Sequence, residues 1–291
     1  MKLSKTIALL LSCTLLLLTA GCGASPQPAP SAAPEVTSTP AVTATPEPTA
    51  TPEPTPTATP EPMFTNPLTG EQTYTDYSQT RPVAIMVENN NWDDGTLIAQ
   101  GGLSQADIVY EMQVESITRN MFLFMDTDGL NNVFPIRSAR SYFVSAALSY
   151  DAIFAHCGKS GEGLEFADTM LVNYTDADDI EVHEGSCGFR QYDAPYFGAV
   201  HSMTTTGERL QDLFAQYGTR TTHRTDGYDY GLHFTEDAAP VNGEAAGSIH
   251  IVFPTNKITD FSYDAEKGGY TSTQWNSAYT DGNTGESGVF E

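Results

Sequence analysis

The chain has 291 residues, with 37 acidic against 13 basic side chains and a formal net charge of −24. A surplus of that sign excludes a nucleic-acid binder, which needs Lys and Arg to neutralise phosphate, and a patch held against anionic headgroups. Twelve of the 18 prolines fall between Ala24 and Pro62, so composition alone separates a stalk from a folded part.

Residues 1–21 read as a secretory signal. Lys2 and Lys5 precede an apolar run from Thr6 to Leu18, followed by Thr19, Ala20 and Gly21. The run is shorter than the roughly 20 residues that spanning hydrocarbon requires. Cys22 directly after small residues is the pattern of a bacterial lipoprotein, in which cleavage exposes the cysteine and its thiol is acylated, as with palmitate. The expectation is a protein anchored in the lipid of the cell membrane, on its extracytoplasmic face. Two or three acyl chains, at about 0.8 kcal/mol per buried CH2, make such an anchor stable.

Residues 22–62 are expected to be disordered. Thr-Pro-Glu-Pro recurs at Thr45, Thr51 and Thr59. Proline removes amide donors and fixes φ, and almost no bulky apolar side chain offsets the entropy of ordering. A polyproline-II stalk rises about 3.1 Å per residue, so this one reaches at most roughly 120 Å. That is enough to carry a domain into a cell wall.

Residues 63–218 are expected to form an α/β domain with a mixed sheet. Arg81 to Glu88 is a strand opening after Pro82. Ile108 to Glu115 alternates strictly, placing Val109, Glu111, Gln113 and Glu115 on one face. Arg119 to Asp126 completes a hairpin with it. Val133 to Ile136 is a short strand, and Ser138 is the expected N-cap of a helix to Ser149. Asp151 to His156 is again strand. The turn Gly158 to Gly163 leads into a helix over Leu164 to Val172. It is no Walker loop, because Ile153 stands where the first glycine is needed. Asn173 to Gln191 reads as loop. Thr205 and Glu208 form a capping box for a helix that Gly218 ends. Residues 219–291 read as a linker and a smaller β-rich region, with strands at Ser248–Phe253, Lys257–Tyr263 and Gly269–Trp275. The last residues, Gly288 to Glu291, look like the start of a strand, and the expectation is a C-terminal domain cut short.

Several of these segments resemble the YerB-like lipoprotein family. They are Asn66-Pro67-Leu68-Thr69-Gly70, Arg81-Pro82-Val83-Ala84, Gly102 to Glu111, Ile117-Thr118-Arg119, Pro135 to Arg140 and Tyr150 to Phe154. The resemblance runs closely from Asn66 to Leu210. Ile249 to Gly285 is similar to the start of the family's C-terminal β-rich domain. It implies a surface lipoprotein with a domain of unknown biochemical function. The chain departs from the family at Ser116 and Ile117, where two glycines are usual, and at Cys157 and Cys187, which match no family position.

Cys157 and Cys187 are the thiols left after cleavage and acylation. A disulfide and two unpaired thiols both remain open. His156, Cys157, His183 and Cys187 match no standard zinc spacing, so neither metal nor cofactor is expected. Arg119, Arg137 and Arg140 fall within 22 positions. Arginine's donor fork suits a carboxylate. The three could clamp an anionic ligand such as a peptidoglycan carboxylate, or pair internally with Glu111, Glu115 or Asp151. Asp151, His156 and His201 stand at strand ends and a helix start, where sites collect in α/β sheets, and complete the candidate pocket. Two functions follow. One is a binding or scaffold protein of the cell envelope, recognising peptidoglycan or another envelope protein. The other is a wall-acting enzyme, a glycan hydrolase or lytic transglycosylase, with Glu111 or Glu115 as general acid/base. A transport lipoprotein is a third reading, disfavoured by the long stalk.

Overall fold

The structure is a computed structural model describing residues 63–92, 95–159, 179–191, 201–235, 243–254 and 256–291. Every described residue belongs to one compact unit, residues 58–291. Cys22, the stalk and the helix expected over 164–172 lie outside the described residues. No helix among the described residues is long and apolar enough to cross a membrane.

A two-stranded ribbon, β1 (Phe64–Thr65) with β2 (Gln72–Thr73), opens the described chain. The main sheet has the order β4-β5-β3-β6-β7. Its strands are β3 (Val83–Asn89), β4 (Ile108–Gln113), β5 (Thr118–Phe124), β6 (Ile153–His156) and β7 (Asp179–Glu181). The hairpin β4–β5 and the pair β5–β3 are antiparallel, whereas β6 and β7 run parallel to β3.

β3 is central because its apolar run has no polar gap from Val83 to Val87, as a strand covered on both faces requires. All seven of its residues are buried. Strand alternation then sends its side chains to two cores. Val83, Ile85 and Val87 join Phe122, Phe124, Ile153 and Ala155 in one. Ala84 and Met86 join Met121, Leu123 and Phe154 in the other.

One helix covers each face. α1 (Ser141–Ser149) buries Phe143, Val144 and Ala147 in the second core. α2 (Gly207–Tyr217) buries Leu210, Leu213 and Phe214 in the first, at the spacing that puts them on one helical stripe. The Thr206 side chain caps α2 by accepting from the Arg209 amide, and Gly218 ends it at φ 64°. β8 (Phe189–Arg190) and β9 (Met203–Thr204) form a small antiparallel pair.

A second sheet of five strands follows: β10 (Ser248–Val252), β11 (Ile258–Asp264), β12 (Gly269–Gln274), β13 (Ser277–Ala278) and β14 (Val289–Phe290). Tyr279 carries it into the first core.

The expected α/β class fits loosely: the protein is sheet-rich, with several sheets, one of them mixed. Other differences are local. α1 starts two residues later than expected, with extended Arg140 and not Ser138 at its N-cap. The cap of α2 is Thr206 and not Thr205. The stretch read as loop before Gln191 contributes β7 and β8, which are too short to show a period. Val133 and Ile136 make isolated bridges to Thr205 and Val87 in place of a strand.

Candidate anion site

Glu88 and Asn89 end β3, and strand alternation points them to opposite faces. On the α1 side, Glu88 stands opposite Arg119 of β5 in register. Glu88 is wholly buried, and such a charge must be paired. Its Oε2 meets Arg137 Nη1 at 2.6 Å and His201 Nδ1 at 3.1 Å. Burial alone would raise the Glu88 carboxyl. The His201 hydrogen bond and the charges of Arg137 and Arg119 outweigh burial and hold it below the usual range. Trp92 packs edge-on against the His201 ring, with centroids 5.0 Å apart.

Arg119 and Arg140 share one acceptor. The Ser138 carbonyl takes Arg119 Nη1 at 3.0 Å and Arg140 Nη1 at 3.3 Å. Arg140 also donates to Ala139 O at 2.8 Å. It grips Glu115 with a two-pronged fork, Nε to Oε1 at 2.6 Å and Nη2 to Oε2 at 3.0 Å. Arg119 is 5% exposed, and its Nε is buried without a hydrogen-bond partner among the described residues. Burial first, then the charges of Arg137 and Arg140, pull Arg119 down to about 10, so it stays charged at neutral pH. The three sequence-predicted arginines and His201 therefore converge at the C-terminal end of β3, where α1 begins. Among the described residues, two carboxylates answer their three permanent charges.

The remaining candidates lie elsewhere. His156 is buried at the end of β6, with Nδ1 2.9 Å from Gly158 O and Nε2 2.6 Å from Asp179 Oδ1. Lys159 reaches the other oxygen of Asp179 at 2.5 Å. Asp151, left-handed at φ 48°, is the hub of a third cluster. Arg220 takes both its oxygens at 2.8 and 2.7 Å, and His223 Nδ1 lies 2.8 Å from Oδ2. Arg81 Nε donates to the Asp151 carbonyl at 2.5 Å. These bonds tie the segment after α2 to the α1–β6 turn.

Glu111 and Glu115 are not brought together. β4 ends at Gln113, so the alternation that would place Glu115 beside Glu111 is not continued. Glu111 points to the α2 side of the sheet, opposite Asn120, and is in direct contact with Lys257 Nζ. It also accepts from Asn89 at 3.0 Å, Thr118 at 2.8 Å and Thr259 at 3.0 Å. Lys257, 2% exposed, lies between the Trp275 and Phe253 rings. Glu115 is 63% exposed at its side chain. Its hydrogen bond from Arg140 holds its carboxyl below the usual range.

Cys157 and Cys187 are unlinked, and burial pushes both thiols up. Sequence reasoning missed Glu88, Trp92, Asp179, Arg220, His223 and Lys257. The one available signal was Glu88, a charge closing an otherwise apolar strand.

The N-terminal domain of the DUF3048 family, described as proteins of unknown function, matches residues 68–220. The chain belongs to that family. It is 30% identical over 224 residues to "Putative lipoprotein YerB" of Bacillus subtilis (strain 168), covering 76% of this chain and 63% of that protein. The chain thus spans less than two thirds of the relative's length. The crystal structure of YerB protein from Bacillus subtilis superposes with a TM-score of 0.61 at 26% identity, over 78% of this chain and 72% of that one.

Proposed function

We propose that this chain is a membrane-tethered, extracytoplasmic lipoprotein that binds carboxylates of the cell wall through Arg119, Arg137 and Arg140. The observation that carries the reading is the arginine cluster, three guanidiniums gathered around one helix start. In a chain of net charge −24, such a gathering of arginines needs a reason, and a guanidinium fork recognises carboxylate by shape as well as charge. The relative's printed name and the pattern around Cys22 support the tether. The carboxylate source that best fits a stalked surface protein is peptidoglycan, in its lactyl and peptide groups.

The enzymatic alternative draws less support from the geometry. A general acid needs a raised pKa, and Arg140 moves Glu115 the other way. Glu111 is occupied by Lys257. Isolated peptidoglycan mixed with the protein separates the two readings. A binder pellets with the wall and releases no soluble fragments detectable by mass spectrometry. Muropeptides released by the wild type, and lost with Glu111→Gln or Glu115→Gln, would replace binding with hydrolysis or transglycosylation.

A further inference from the structure

We propose that Glu115 is a built-in competitor at the arginine cluster: its carboxylate occupies the place of the ligand's and leaves when the ligand binds. The inference rests on the cluster being a carboxylate site.

Glu115 and Glu88 hold the cluster in different ways. Glu88 lies on β3, fully buried, and accepts from both Arg137 and His201. Removing it would leave the Arg137 guanidinium without its buried carboxylate. Glu115 lies in the turn between β4 and β5, which is closed by one backbone bond from Val114 N to Ile117 O at 2.8 Å. Its side chain is 63% exposed, whereas that of its partner Arg140 is 12% exposed. The anion is therefore on the solvent side and the cation on the protein side.

Contact geometry points the same way. Glu115 meets Arg140 through both oxygens, the mode a ligand carboxylate would adopt. Arg140 does not depend on Glu115 for its position, because its Nη1 is held by the Ser138 and Ala139 carbonyls. The guanidinium stays aimed when Glu115 swings out. Water reaches the Glu115 side of the pair and weakens the attraction there, so Glu115 can be displaced. Two further features favour an incoming anion once Glu115 has left. The first amides of α1 have no intrahelical acceptor, and α1 carries no acidic residue in its first turn. Arg119, which shares the Ser138 carbonyl with Arg140, also has a buried Nε with no hydrogen-bond partner among the described residues.

The test uses the full chain extracted in detergent, with N-acetylmuramic acid as the carboxylate probe and N-acetylglucosamine as the neutral control. The wild type binds the muramic acid in preference, and Glu115→Gln binds it about two- to fivefold more tightly, the range set by losing a solvent-facing competitor. Glu115→Asp, one methylene shorter, retains the charge and falls between them. Glu115 is exposed, so equal melting temperatures of wild type and variants certify the fold. Wild-type binding that Glu115→Gln leaves unchanged or weakens would overturn the competitor and leave the site standing. Absence of muramic acid binding by both proteins would overturn the site itself.

Discussion

At the scale of single residues, the chemistry is governed by buried carboxylates with cationic partners. Glu88 is the clearest. Its folded pKa lies below the unfolded value, which is about 4.3, so it contributes stability that is fully present above that value. The contribution is lost as pH falls through the folded pKa. Asp151 and Asp179 are depressed by their own hydrogen bonds against the opposing effect of burial, so they act in the same direction. The contribution of these carboxylates to urea midpoints measured across pH should be level above about pH 5 and fall below about pH 4. Glu88→Gln should start lower at neutral pH and fall less steeply with acid. A variant that parallels the wild type at every pH would remove Glu88 from the account. These partnerships also mark where the sequence stops being legible. Glu88 finds His201 at a separation of 113 residues, and Asp151 finds His223 at 72. Alternation places a side chain on a face, but it does not say which distant side chain meets it.

Elements were legible where period and length were strong. β3, β6, the β4–β5 hairpin and α2 were expected from an apolar run, from alternation and from caps. Two- and three-residue strands such as β7, β8 and β9 escape because no period fits in them. α2 shows how one position sets an element's place. A Cβ on Gly207 would stand 1.8 Å from the Thr127 carbonyl oxygen and 2.9 Å from Leu130 Cβ. Backbone cannot yield as a side chain can, so Gly207→Ala must push the start of α2 off the first core. The cost should be about 1–3 kcal/mol, as for overpacking. Calorimetry would read it as a melting temperature lower by several degrees, about 2–4 °C per kcal/mol at this size. The turn before β11 makes a second case. Lys257 is buried, and burial alone pulls its ammonium down. The Glu111 carboxylate in contact is what supports a charge there. Glu111→Gln should therefore destabilise by about 3–5 kcal/mol, while the double change with Lys257→Met should cost much less, because no charge is left buried alone. If both variants melted together, the contact would not be what joins the two sheets here.

For the whole molecule, charge and topology act together. A chain this acidic remains soluble and repels anions at long range. An anion site on it needs concentrated positive charge, and the fold supplies that by bringing the ends of β3 and β5 to the start of α1. The C-terminal end of a central strand, where parallel and antiparallel neighbours meet, is also a place where ligands bind in open sheets. Clustering of Arg119, Arg137 and Arg140 was visible in their sequence spacing. Their separation from Asp151 and His156 was not, because those residues belong to other strand ends with counter-ions of their own. The measurement that tests the central claim most directly is co-sedimentation of the full chain with isolated peptidoglycan, wild type against Arg137→Ala with Arg140→Ala. The wild type should pellet with the wall, added salt should weaken the binding, and the double variant should stay in solution. Equal pelleting of the two proteins would contradict that claim.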